Sequence, residues 1–164
     1  MTEKSRGTLA EYKKTLSKYQ KIMAVLVILI IAFIWAHSFM PQDLSGEESS
    51  FITDHLVKPL LKFMGIAADE NTHAIVRKLA HFTEFMALGA ALAMLMHTFF
   101  REVKTCFIAL SVSMFTAFLD ETIQIFSGRG PAIADVWIDT AGAAAGILIV
   151  TLVHLLHKLR RKAR

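Results

Sequence analysis

Charged and polar residues recur inside stretches of this sequence that are otherwise apolar. They form three groups along the chain: Lys78, His81 and Glu84; Asp120, Glu121, Gln124 and Arg129; and Asp135 and Asp139. Several are three or four residues apart, as His81 and Glu84 are, and this spacing places two side chains on one face of a helix. An ionised side chain inside a membrane span costs about 2.5–3.5 kcal/mol on insertion scales. Residues retained at that cost are candidates for a functional site.

The residue types in the three groups suit acid–base chemistry on a charged substrate. Carboxyl and imidazole side chains act as general acids and bases, and the candidate catalytic residues are Glu84, Glu121, His81 and Asp120. The candidate substrate-binding residues are Lys78, Arg129, Gln124, Asp135 and Asp139. Lys78 and Arg129 would contact an anionic head group, and His81 would relay a proton.

The same residues leave other roles open. The three groups contain five carboxyl groups and only two basic side chains. Protons, water or a cation must therefore offset the excess negative charge. The spacing of His81 and Glu84 would suit two metal ligands, but Lys78 and Arg129 already neutralise part of the charge, and we predict no metal. The residues identify no cofactor. The alternative to a functional site is a structural network that holds helix ends together. His37, near the outer end of the first span, either joins the polar residues or, as expected, is an interfacial residue.

Four apolar runs lie at 23–40, 79–100, 105–126 and 133–156. The three polar groups lie in or directly beside the last three of these runs. At a rise of about 1.5 Å per residue, each is long enough to cross the hydrocarbon core of a bilayer. Hydrophobic residues make up 54% of the chain and charged residues 20%, which argues against a soluble domain. The first run and the basic segment before it are too long for a cleaved signal peptide. The predicted fold is an all-α integral membrane protein, a bundle of four transmembrane helices with its membrane domain at 23–156.

The positions of lysine and arginine predict the orientation of this bundle. Thirteen of the 18 lie in the N-terminal segment 1–22, the connection 101–104 or the tail 157–164. Because basic residues concentrate in cytoplasmic segments, both termini are predicted to be cytoplasmic and the loop 41–78 to lie outside. All three polar groups then fall in the outer half of the membrane. Since the basic residues flank membrane spans, nucleic acid is not expected as a partner.

The outer loop has a helical pattern of its own. Ile52, Leu56, Leu60 and Met64 recur every fourth residue, which predicts an amphipathic helix on the membrane surface or over the bundle. Pro59 should kink or divide this helix.

Two further segments carry structural expectations. Residues 8–21 are predicted to form a short interfacial helix or to be disordered. The small residues at 142–146, Gly-Ala-Ala-Ala-Gly, predict a close helix–helix approach that turns the fourth span toward the bundle interior.

Three ordered motifs resemble those of the VanZ-like membrane proteins: KLAHFTEFMALG at 78–89, DETIQIFSGR at 120–129 and DVWIDTAGAAAG at 135–146. Residues 37–49 resemble the first outer loop of that family more loosely. The family usually has asparagine where this chain has Asp139, so the site gains a carboxyl. The resemblance implies a bacterial multi-pass protein of the cytoplasmic membrane. The family is named for a member of glycopeptide-resistance gene clusters that is associated with tolerance to teicoplanin.

The sequence therefore predicts a membrane protein with a polar pocket that opens outward. The leading hypothesis is that it binds or modifies a cell-envelope lipid or a lipid-linked wall component, and whether it is an enzyme stays open. The alternative is a non-enzymatic binding or assembly protein, or a small transporter, whose polar residues are structural or dock a partner. The nearly uncharged inner halves of the predicted spans count against ion transport.

Overall fold

The computed structural model describes residues 3–40, 50–63, 71–127 and 133–163. Its helices are α1 (Glu3–Ser38), α2 (Lys58–Phe63), α3 (Thr72–Met96), α4 (Glu102–Phe126) and α5 (Ile133–Lys162). Four of them, α1, α3, α4 and α5, are long and apolar enough to cross a membrane. No strand occurs in the described ranges. The predicted all-α fold with four spanning helices is confirmed, whereas the side on which the termini lie stays a prediction.

The helices extend beyond the predicted spans. Residues 8–21 form neither a separate helix nor a disordered segment, because α1 runs unbroken from Glu3 to Ser38. Leucine, lysine, glutamate and alanine in this stretch favour helix, and no proline interrupts it. At the other end of the chain, α5 continues through the basic tail to Lys162. The second span is shifted toward the N-terminus, from the predicted 79–100 to Thr72–Met96.

The loop segment is helical, as predicted, but interrupted. Thr53–Val57 forms a π-helical turn that leads into α2, and the backbone N–H of Lys58 donates to the carbonyl of Thr53, five residues back. Pro59 follows at once, and its missing N–H explains why regular α-helical bonding is lost here. The apolar side chains at 51, 56, 60 and 63 are exposed. They do not cap the bundle, which favours the membrane-surface alternative; Met64 lies outside the described residues.

Glycines bring α3 and α5 into the closest contact of the bundle's backbone. A Cβ placed on Gly142 would lie 3.0 Å from the carbonyl carbon of Phe82, and one on Gly146 would lie 2.9 Å from the nitrogen of Ala90. A Cβ on Gly89 would lie 2.8 Å from the carbonyl carbon of Ala143. Only glycine allows backbones to approach this closely. The approach predicted from the small residues at 142–146 is therefore confirmed.

Alanine supplies five of the twelve buried apolar residues in the described part of the chain. Ile34, Phe85, Leu88, Ala117 and Ala143 are fully buried. Large apolar side chains instead point outward along α1 and α4, including Leu29, Phe33, Phe107, Phe115 and Phe118. This is the pattern of a protein whose outer surface faces hydrocarbon and whose helices pack through small residues.

Histidines and an ion pair join the helices at the end of the bundle where α3 gives way to α4. His97 lies in the turn after α3, and its ring stacks on His154 with centroids 4.4 Å apart. Burial, together with the neighbouring His154, lowers the pKa of His97. Lys158 Nζ donates to Glu102 Oε1 at 2.7 Å, which connects α5 to the start of α4.

Candidate functional site

Polar side chains from four helices meet at the opposite end of the bundle. We call this group the polar cluster: His37, Ser38, His81, Glu84, Asp120, Gln124 and Asp139. The end of α1, the first half of α3, the end of α4 and the start of α5 supply its members. The antiparallel order of the helices explains this convergence, because a residue late in one span lies beside a residue early in the next. Glu121, next to Asp120, is also buried, at 8% exposure.

Asp120 is the most completely held member of the cluster. Its side chain is fully buried. Ser38 Oγ donates to its Oδ1 at 2.5 Å, and Gln124 Nε2 donates to its Oδ2 at 2.8 Å. Ser127 Oγ in turn donates to the backbone carbonyl of Ser38 at 2.9 Å. These bonds fix the carboxylate on both oxygens and attach the end of α1 to the end of α4.

His37 belongs to the cluster, which is the alternative that the sequence left open beside an interfacial position. Its Nδ1 lies 3.3 Å from Glu84 Oε1, which is hydrogen-bonding distance for a ring N–H donating to a carboxylate. The His37 ring also lies parallel to that of His81, with centroids 6.3 Å apart and an interplanar angle of 8°. The sequence alone gave no role to Ser38. The available signal was that both residues end the first span at the depth of the other polar groups.

His81, Asp120 and Asp139 form the deepest part of the cluster. His81 Nδ1 lies 4.0 Å from Asp120 Oδ2. One ligand-type atom from each of the three residues lies within 4.8 Å of the other two. Asp139 is 3% exposed, and among the described residues its Oδ1 has no hydrogen-bond partner. Three helices thus place an imidazole and two carboxylates around one point.

Lys78 and Asp135, both predicted to bind substrate, lie apart from this centre. Lys78 Nζ is 3.7 Å from Asp135 Oδ1, and the Lys78 side chain is 45% exposed. The ammonium therefore compensates Asp135 at the rim and not the buried carboxylates. Gln124, predicted to bind substrate, donates to Asp120 within the cluster. Arg129 falls in the stretch 128–132, outside the described residues.

A lateral groove reaches the polar cluster from the membrane-facing surface. It has a volume of about 260 Å³ and is lined by Leu29, Ile30 and Phe33 of α1 and by Glu84 and Ala87 of α3. Glu84 is the one ionisable residue of this lining. A larger cavity of about 800 Å³ lies around the connection Phe99–Lys104 and Phe107, at the end of the bundle away from the cluster. The smaller groove is the relevant one, since it alone of the two contacts the cluster.

Four apolar helices with buried ionisable side chains gathered at one end define a multi-pass membrane protein. The model of the VanZ/LLP1 family matches residues 23–154, most of the chain, and the protein belongs to that family. The matched region contains α3 and α4 entirely, most of the spanning segments of α1 and α5, and every member of the polar cluster. No curated protein and no solved structure matches the chain.

Proposed function

We propose that the polar cluster binds or modifies a cell-envelope lipid or a lipid-linked wall component. The observation that carries this proposal is the lateral groove, which is apolar along α1 and has Glu84, a member of the polar cluster, in its lining on α3. A lipid has a matching arrangement, because its apolar hydrocarbon chain is followed by a polar head group. Both parts of such a ligand would find a matching surface without leaving the bilayer.

The groove would take only part of a lipid chain. At about 260 Å³ it is smaller than the roughly 300–1,000 Å³ typical of pockets that enclose a small ligand. Leu29 and Phe33 are 60% and 61% exposed, so the groove is open along its side. The rest of the chain would stay among the neighbouring lipids, which favours a membrane lipid over a water-soluble ligand.

The polar cluster would act on the head group. Lys78, exposed at the rim, and Arg129 would contact an anionic group such as phosphate. Glu84 or Glu121 would act as general base or acid, and His81 would relay a proton. The cluster would then lie in the outer half of a bacterial cytoplasmic membrane, with both termini in the cytoplasm. The family's association with glycopeptide resistance supports teicoplanin susceptibility as the cellular readout.

Lipid retention by the purified protein tests the groove directly. Ala87→Phe would fill the groove from α3 without altering a cluster residue, and Ala144→Phe would add the same ring on the exposed surface of α5. Lipids extracted after detergent purification would be compared by mass spectrometry. We expect a specific lipid class with the wild type and Ala144→Phe, and its loss with Ala87→Phe. Equal lipid content in all three would contradict the groove as a binding site.

A second experiment separates lipid chemistry from partner docking. Glu121→Gln should abolish the effect on teicoplanin susceptibility at unchanged protein level. Leu60→Ser, on the exposed face of α2, should leave that effect intact. The reverse pattern would support the alternative in which the outer loop docks a partner and the polar cluster is structural.

A further inference from the structure

His81, Asp120 and Asp139 come from three different helices and converge on one point. One nitrogen or oxygen atom from each lies within 4.8 Å of the other two. We propose that these three side chains bind a divalent transition-metal ion. This site lies inside the polar cluster but does not depend on the proposed lipid chemistry, since its occupancy is measured without any substrate.

The burial of two carboxylates is the first argument. Asp120 is fully buried and Asp139 is 3% exposed. Ser38 and Gln124 satisfy Asp120, whereas Oδ1 of Asp139 has no hydrogen-bond partner in the described part of the chain. An ionised carboxylate oxygen buried without a partner is strongly unfavourable, and proteins offset this cost by protonation, by pairing or by binding a metal. A cation between the three side chains gives this oxygen its missing partner.

The position of Lys78 is the second argument. The sequence led us to expect no metal because Lys78 would neutralise the acidic residues. In the structure its ammonium instead lies beside Asp135, at the exposed rim. Lys78 therefore does not pair with Asp120 or Asp139, and one of the two reasons for expecting no metal no longer holds.

The ligand set indicates the kind of ion. One imidazole with two carboxylates suits Zn²⁺, Mn²⁺ or Fe²⁺ better than Ca²⁺ or Mg²⁺, which prefer oxygen alone. Ligand distances of about 2.0–2.2 Å would hold these three atoms, which lie within 4.8 Å of one another, around a single ion. Ser38 and Gln124 would orient Asp120 from behind, as outer partners of metal ligands do. Three protein ligands leave a coordination position open for water or a substrate oxygen.

Metal content of the purified full-length protein tests the proposal. The protein would be purified in detergent through a tag without histidine, stripped with a chelator, and titrated with Zn²⁺, Mn²⁺ or Mg²⁺. Bound metal would be measured by elemental mass spectrometry and thermal unfolding recorded in parallel. We expect about one equivalent of Zn²⁺ or Mn²⁺ per chain, as for a single three-ligand site, together with a rise in the unfolding temperature.

Matched variants distinguish this site from adventitious binding. Asp139→Asn should weaken metal binding at least tenfold and remove the thermal shift, whereas Asp135→Asn, the same change one helical turn away, should retain both. His154→Gln, which disrupts the histidine pair at the other end of the bundle, should also retain both. If Asp139→Asn does not yield monodisperse protein, His81→Gln takes its place. Metal binding that is absent from the wild type, or unchanged in the Asp139 and His81 variants, overturns the proposal.

Discussion

The close packing of α3 against α5 predicts that Gly146→Ala destabilises the protein. A Cβ at this position would lie 2.9 Å from the backbone nitrogen of Ala90, whereas ordinary contact begins at 3.4 Å. It would also meet the carbonyl of Met86. Because both contacts are with backbone, no side-chain rotation relieves them, and the two helices must separate by at least half an ångström.

The size of the effect follows from two opposing contributions. Forcing a methyl group into a well-packed interface costs about 1–3 kcal/mol. Replacing glycine by alanine within a helix favours folding by about 1 kcal/mol. Because both contacts at Gly146 are with backbone, the upper part of the packing cost, about 2–3 kcal/mol, applies, and we expect a net loss of about 1–2 kcal/mol in the free energy of unfolding.

Unfolding in mixed micelles of mild detergent and dodecyl sulfate measures this change. Trp35 on α1 and Trp137 on α5 report tertiary structure by fluorescence, and circular dichroism reports helix content. Ala144→Val, which adds bulk to the exposed face of the same helix, should leave stability near the wild-type value. A Gly146→Ala protein as stable as the wild type, or more stable, would refute the inference that backbone contact limits this interface.

Three further perturbations test the polar residues. Ser38→Ala should lower stability by about 1.5–3 kcal/mol, because it removes a hydrogen bond to a buried carboxylate; Ser38→Thr, which keeps the hydroxyl, should lose less, and equal losses would contradict the role of the bond. Glu121→Gln should raise or preserve the unfolding temperature in detergent if the residue serves function at a cost to the fold, while a loss of several degrees would assign it to a structural network. The lowered pKa of His97 means that the unfolded chain takes up a proton before the folded one does, so stability should decline as pH falls below the usual histidine pKa of about 6.5. His97→Gln should flatten that part of the pH profile, and an unchanged profile would exclude His97 as its cause.

Sequence patterns predict the four spans and the end of the bundle at which polar residues gather. Hydropathy over about 20 residues and the position of a charge within a span are local properties. The close helix packing at 142–146 is likewise predicted from the small size of these residues alone. These predictions can be made without knowing which helices are neighbours.

The side-chain pairings inside the cluster can be predicted only when the neighbouring helices are known. The role of Ser38 follows from its contact with Asp120, and the role of His37 from its contact with Glu84. The sequence also does not show that Lys78 lies beside Asp135 at the rim and not beside Asp139. Each of these pairings is set by the rotation and depth of two packed helices, which hydrophobic periodicity fixes only to within a turn.

The bond between Ser38 and Asp120 spans 82 residues of sequence, and this separation has a consequence for biogenesis. At about 5–20 residues per second, the ribosome needs about 4–16 s to make Asp120 after Ser38. During that interval α1 must reside in the membrane, or at the translocon, with its terminal serine lacking its final partner. Lateral assembly of the first helix with the later ones is therefore a post-insertion step. It forms the bond between Ser38 and Asp120 only after the third spanning helix has been delivered, and it completes the polar cluster only when the fourth brings Asp139.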